Sequence, residues 1–220
     1  MKSILSVTGA SDSSQLTTLA AVKAAIGAVD ASADGFIDLS IDRQSDAAAA
    51  WCDRVFAKQT YSEIFRGVAC SEFLSLRHWP IQAIASITAD GIVLDAEDYE
   101  FEASTESGAV YRLSSDARIV WDAAKIVVAY TAGYVLPGQT LVGDSPSGAR
   151  SLPHAVEAAV IQLVKMDYFG RDRDPLLRSL TTPGVQSEDF AIRGASGGMD
   201  GSMPGDVAAL LAPYRRPMIG

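Results

Sequence analysis

Apolar residues recur at helical spacing in the first quarter of the chain. Leu19, Val22 and Ile26 mark one face of a predicted helix that ends at Gly27. A longer helix is predicted after Ser32, which is placed to cap it, and its apolar face comprises Ile37, Ile41, Ala48, Cys52 and Val55. These two helices together account for residues 17–56, approximately.

The period of the pattern changes after Arg66. Short runs rich in β-branched and aromatic residues, separated by turn signals, predict strands over about residues 67–134. Asp90-Gly91 lies between two such runs and predicts a hairpin, because a type I′ turn needs positive φ at both central residues. Ser107-Gly108 predicts a second turn. We therefore expect a small, mainly antiparallel β-region inserted between helices.

The remainder of the chain predicts one long helix and a loosely attached end. After a polar loop, apolar residues at helical spacing predict a helix over about 152–169, and a short helix is predicted from Asp206 to Pro213. Residues 194–202 are rich in Gly and Ser, which predicts a flexible segment. The predicted fold is α+β: a helical bundle with an inserted β-region in one domain, residues 1–182, followed by a flexible C-terminal arm, residues 183–220.

The charge balance argues against a nucleic-acid-binding module. The 220 residues contain 18 Lys and Arg and 27 Asp and Glu, which gives a net charge of −9. Affinity for a duplex comes mainly from basic side chains that neutralise phosphates, so we expect no nonspecific binding to DNA. Two cysteines make no disulfide framework, and no apolar run approaches the ~20 residues of a membrane helix. A soluble cytoplasmic protein without membrane contact is predicted.

No motif predicts catalysis, a cofactor or a metal. Residues 194–198 match G-x-S-x-G, but no strand and helix flank them as the nucleophile elbow requires. His78 and His154 are the only histidines, and Cys52 and Cys70 lack the spacing of a redox or zinc site. The carboxylates clustered in the β-region are best explained as a solvated strand face; they are Asp95, Glu97, Asp98, Glu100, Glu102 and Glu106. We predict that the protein is not an enzyme.

The order of the segments is more informative than any single residue. Residues 47–67 (AAAAWCDRVFAKQTYSEIFRG) are followed by 74–81 (LSLRHWPI), 84–91 (IASITADG) and 127–134 (VVAYTAGY). This series resembles the head-tail connector proteins, or adaptors, of tailed phages and of gene transfer agents, including their frequent V-x-Y-T-A-G-Y strand ending. Residues 210–217 (LLAPYRRP) also look like an adaptor C-terminus. The loop at about 138–151 is longer than the family pattern.

The resemblance implies a structural role in the neck of a virion or phage-like particle, after synthesis in the host cytoplasm. Adaptors form a ring with copies of themselves, usually a dodecamer, beneath the portal protein. The ring extends the DNA channel and docks the stopper or tail-completion protein, and the DNA passes through without specific binding. An acidic chain suits such a channel, because it repels phosphate. The alternatives are another neck or tail-completion protein, or a cytoplasmic enzyme without a recognisable motif.

The C-terminal arm carries the candidate binding residues. A short apolar helix followed by Tyr-Arg-Arg suits an element that orders on a partner. We predict that the arm docks on the portal through Val207, Leu210, Leu211, Tyr214, Arg215 and Arg216. The alternative is that the terminal helix folds back on its own domain.

Overall fold

The chain forms two compact units in the computed structural model. The structure describes residues 3–28, 30–102, 108–139, 152–171, 179–182, 186–189 and 203–216. The β unit comprises Met1–Ser14 and Val55–Ser151, and the helical unit comprises Gln15–Arg54 and Leu152–Gly220. Residues 55–151 of the β unit thus lie in the sequence between the two parts of the helical unit, whereas residues 1–14 precede both. The division into a connector domain, residues 1–182, and a C-terminal arm, residues 183–220, stays a prediction.

The β unit is built from two antiparallel sheets. Its strands are β1 (Ser3–Gly9), β2 (Gln59–Ser71), β3 (Leu74–Ser75), β4 (Ile81–Ala89), β5 (Ile92–Val93), β6 (Tyr99–Phe101), β7 (Ala109–Ser114), β8 (Ala117–Ile119) and β9 (Trp121–Ala132). One sheet has the order β1-β2-β9-β4-β5, and the other has the order β3-β7-β6, with β8 also paired to β7. Side chains of both sheets form one core that includes Tyr61, Phe65, Val110 and Trp121.

The hairpin at Asp90-Gly91 is confirmed. Both residues have positive φ, 48° and 87°, as a type I′ turn requires. The Asp90 carboxylate also accepts hydrogen bonds from the backbone N–H groups of Lys125 (2.7 Å) and Ala124 (3.2 Å). These hydrogen bonds connect the turn to the neighbouring strand β9. The predicted turn at Ser107-Gly108 lies partly outside the described residues.

The described residues of the helical unit form four α-helices and a strand pair. They are α1 (Leu19–Ile26), α2 (Asp34–Cys52), α3 (His154–Gly170), α4 (Gly205–Leu211), β10 (Ser179–Thr182) and β11 (Gln186–Asp189). Gly27 ends α1 in the left-handed conformation that the sequence predicts. No helix in the described part of the chain is long and apolar enough to cross a membrane.

Helices α2 and α3 pack through the predicted apolar faces and through polar contacts. Ile37, Ile41, Ala48 and Cys52 are buried on α2, and α3 buries Val156, Val160, Leu163 and Val164. Ser40 and Gln44 of α2 both donate to the Asp167 carboxylate of α3. Two details of the prediction are wrong: Ser32 does not cap α2, since Ala33 precedes its first turn, and Val55 lies beyond the helix and is exposed.

The α+β class is confirmed, but the predicted helical bundle with a small β-region is wrong. The sheets dominate, because β1, β10 and β11 lie where the sequence predicted no strand and β2 is longer than predicted. β1 at the N-terminus was missed, and β2 begins at Gln59 rather than after Arg66. β1 is a short run without strict alternation, and its partner β2 lies about fifty residues further along the chain. Local periodicity does not detect such a pairing.

Candidate interaction surfaces

The histidines and the buried cysteine considered for catalysis are not brought together into a site. The His78 ring stacks on Tyr61 with ring centroids 4.3 Å apart, whereas the His154 side chain is fully exposed. Burial raises the pKa of the Cys52 thiol to about 11, which keeps it protonated and unreactive at neutral pH. The described residues contain no group of three or more side chains placed to hold a metal ion. The G-x-S-x-G match lies outside them.

The clustered carboxylates of the β unit also have structural partners. Asp98 accepts the backbone N–H of Asp95 in a capping box that begins a short 3-10 turn. Glu100 pairs with the Arg118 guanidinium, which stacks 3.8 Å from the Tyr111 ring centroid. Glu106 lies outside the described residues. This arrangement supports the interpretation of the cluster as a strand surface.

A buried carboxyl group that the sequence interpretation missed links three parts of the β unit. Glu63 of β2 is fully buried and accepts hydrogen bonds from the Tyr130 hydroxyl (3.0 Å), the Arg77 backbone N–H (3.0 Å) and the Ser3 hydroxyl. Burial and the adjacent Glu63 carboxyl raise the pKa of Tyr130. The available signal was a glutamate at a core-facing position between aromatic residues, in Tyr-Ser-Glu-Ile-Phe.

The strand ending V-V-A-Y-T-A-G-Y is explained by close backbone contacts. Gly133 has φ 106°, and a Cβ at this position would clash with the carbonyl oxygen of Ala57. The backbone N–H of the next residue, Tyr134, donates to the Phe56 carbonyl at 2.7 Å. The Tyr134 side chain is buried, and its ring stacks on that of Phe56. The hydroxyl of Tyr130, in the same motif, donates the hydrogen bond to the Glu63 carboxylate. The motif therefore serves the fold of the β unit.

The C-terminal segment, residues 203–216, packs on the helical unit in this structure. Val207 and Leu211 of α4 have no exposed surface, and Asp206 accepts a hydrogen bond from Gln162 of α3. The Arg54 guanidinium donates to the Tyr214 carbonyl at 3.3 Å. The short terminal helix thus takes the folded-back position that the sequence left open as an alternative.

Electrostatics favours this position at the end of α2. Helix α2 has no basic residue in its last turn, although the carbonyl end of a helix carries partial negative charge. The backbone N–H of Arg216 donates to the last helical carbonyl, that of Cys52, at 2.9 Å. The Arg215 guanidinium lies 4.9 Å from the Trp51 ring centroid. The segment therefore brings hydrogen-bond donors and positive charge to the end of the helix.

The six predicted docking residues divide into two groups. Val207 and Leu211 are buried against their own unit, whereas Arg215 is exposed and Leu210, Tyr214 and Arg216 are half-buried. The second group offers an apolar, an aromatic and two cationic side chains that are at least partly exposed. Docking of these residues on a portal stays a prediction.

Comparisons with known proteins give a likeness of fold. No protein-family model matches the sequence, and no curated protein matches it. Among solved structures, a chain in "Neck of empty GTA particle computed with C6 symmetry" is similar with a TM-score of 0.56 and 15% identity, covering 98% of this chain and 97% of that chain. A chain in "Virion of native gene transfer agent (GTA) particle" gives a TM-score of 0.55 and 13% identity, with the same coverage. A third, in "Neck of native GTA particle computed with C12 symmetry", gives a TM-score of 0.50 and 15% identity. The chain thus shares its fold, nearly end to end, with subunits of gene transfer agent particles.

Proposed function

We propose that the chain is a structural subunit of the neck of a phage-like particle, an adaptor that forms a ring beneath the portal. The observation that carries the proposal is the fold likeness over 98% of this chain and 97% of a chain from a gene transfer agent neck. A match over nearly the whole length of both chains supports a common fold rather than one shared motif. The order of sequence motifs that resembles the adaptors supports the same role independently.

The proposed ring extends the DNA channel and docks the stopper or tail. A net charge of −9 suits this role, because DNA must slide past the protein without binding tightly. The C12 symmetry of a similar neck is the basis for proposing twelve subunits. The chain acts here through its surfaces, without catalysis or a cofactor.

The proposal is tested by purifying the chain together with the portal protein of the same particle. We expect one complex whose native mass corresponds to a portal with a ring of this chain attached. A chain that ignores the portal but binds the tail tube would instead indicate a tail-completion protein. A monomer that binds neither would contradict the neck role.

We further propose that the exposed side of the C-terminal segment contacts the portal. Deletion of residues 204–220 would not test this contact alone, because it would also remove the buried side chains of Val207 and Leu211. Arg215→Glu reverses an exposed charge and also removes the contact with the Trp51 ring, so urea unfolding must show that the variant is as stable as the parent. Arg43→Glu makes the same charge reversal at an exposed position of α2. We expect the Arg215 variant to weaken portal binding about tenfold, or ~1.4 kcal/mol, and the Arg43 variant to bind normally. Equal binding by both variants would contradict docking through this segment.

A further inference from the structure

The larger sheet of the β unit has two unpaired edges in the part of the chain that the structure describes. β1 forms one edge and pairs only with β2. At the opposite edge, β5 covers β4 at Thr88 and Ala89, and the backbone N–H of Leu94 donates to the Ile87 carbonyl. Residues 81–86 of β4 therefore have no strand beside them. The uncovered stretch of β4 and the 7-residue β1 are similar in length.

Neither edge carries a charge or a proline, although the pairing is irregular between Val7 and Gly9 of β1 and, on β4, between Ile81 and Ala83 and between Ile84 and Ser86. β1 reads Ser-Ile-Leu-Ser-Val-Thr-Gly, and residues 81–86 read Ile-Gln-Ala-Ile-Ala-Ser. Both lack charged residues and proline, although charged residues make up 20% of the chain. Free edges of monomeric proteins are commonly protected by Lys, Pro or an inward-pointing charge. On β1, Ile4 and Val7 are 59% and 53% exposed.

The strand directions allow the two edges to meet. β1 runs antiparallel to β2, β2 to β9, and β9 to β4, so β1 and β4 point in opposite directions. When a second copy continues the sheet in the same orientation, its β1 therefore lies antiparallel to β4 of the first copy. The antiparallel order of the strands then continues from one copy to the next. Each copy contacts one neighbour through β1 and the other neighbour through β4.

We propose that β1 of one copy pairs with residues 81–86 of β4 in the next copy. This interface joins two different surfaces, and a repeated contact of that kind forms a ring when its rotation closes. The proposal rests on the ring role given above and specifies the surface by which the subunits join. Main-chain hydrogen bonds supply the pairing, and the uncharged side chains of both strands allow close approach.

Cysteine pairs test the contact directly in the complete chain. One row across the sheet contains Ser6 of β1 and Ser86 of β4, with Ser62 and Ala129 between them, so Ser6 and Ser86 lie on the same face. Ala83 lies on that face too, in the neighbouring row that contains Thr131. We would combine Ser6→Cys or Ile4→Cys with Ala83→Cys or Ser86→Cys, which covers adjacent registers. Cys70→Ser serves as the background, because Cys70 is exposed. Facing positions of paired strands lie within the Cα separation that a disulfide spans.

The expected result for ring-containing portal complexes is a ladder of covalent oligomers that extends beyond the dimer. Each single-cysteine variant should give no ladder. Dimers from Ser6→Cys alone would indicate that β1 pairs with β1 of another copy, which would overturn the head-to-tail arrangement. A ring that forms normally while no double variant is cross-linked would also overturn it.

A charged edge provides the second test. Val7→Lys places a positive charge on β1, and Val120→Lys makes the same change at an apolar position of the β unit that is 45% exposed and outside this sheet. We expect Val7→Lys to reduce ring formation at least tenfold, whereas Val120→Lys leaves it unchanged and both variants unfold like the parent. Unchanged ring formation by Val7→Lys would contradict the edge contact. A parent chain that forms no ring on the portal would contradict the adaptor proposal itself, so the two failures are distinguishable.

Discussion

The backbone N–H of Arg216 donates a 2.9 Å hydrogen bond to the carbonyl oxygen of Cys52, the last residue of α2. This bond satisfies a carbonyl that has no partner within its own helix. Together with the buried side chains of α4, it makes the C-terminal segment part of the folded helical unit. Only the outer side of that segment is then available for a partner.

The buried side of α4 is expected to contribute to stability. Leu211 has no exposed surface, whereas its neighbour Leu210 is half-buried. Leu211→Ala should lower the free energy of unfolding by about 2–5 kcal/mol, because it removes buried methyl groups and leaves a cavity. Leu210→Ala is the matched control and should cost less than about 1 kcal/mol. Urea unfolding of both variants measures the difference, and equal losses would contradict packing of α4 on its own unit.

The glycine of the V-V-A-Y-T-A-G-Y motif is expected to be irreplaceable. Gly133→Ala introduces a Cβ against the Ala57 carbonyl at a positive φ, whereas Gly67→Ala has a positive φ but open space around the Cβ. The backbone conformation alone should cost about 1–2 kcal/mol in either variant. The clash should add about 1–3 kcal/mol for Gly133→Ala. Thermal unfolding measures this gap, and Gly67→Ala destabilising as much as Gly133→Ala would contradict the close approach.

How far the sequence predicts this molecule depends on the distance between interacting residues. The Asp90-Gly91 hairpin and the Gly27 helix end depend on a few adjacent residues, and both were predicted correctly. β1 was missed because its partner β2 is remote and its own pattern is weak. The apolar spacing of α4 predicted a helix with one buried side. It contained no information on whether that side is covered by this chain or by another protein.

The buried tyrosines predict how stability changes at high pH. Burial raises the pKa of Tyr61 to about 12, from an ordinary value near 10, and the pKa of Tyr130 is also raised. Below pH ~10 both hydroxyls are protonated in the folded and unfolded states, so the stabilisation is complete there. Above that pH the unfolded chain loses these protons first, and the free energy of unfolding falls by up to about 1.4 kcal/mol per pH unit for each group.

Urea unfolding between pH ~9 and ~11.5 tests this prediction with Tyr130→Phe and Tyr61→Phe. Each variant should be less sensitive to pH in this range than the parent, since one titrating group has been removed. Parallel curves for all of these proteins would contradict the linkage.

The account depends most on the proposed place of the chain in a particle. The most direct measurement is a cryo-EM reconstruction of the complex that the chain forms with the portal protein of the same particle. We predict a ring of this chain at the tail-facing end of the portal, with the larger sheets of neighbouring copies joined edge to edge. A reconstruction in which the portal is bare, or in which the chain occupies the tail tube, would contradict the adaptor role.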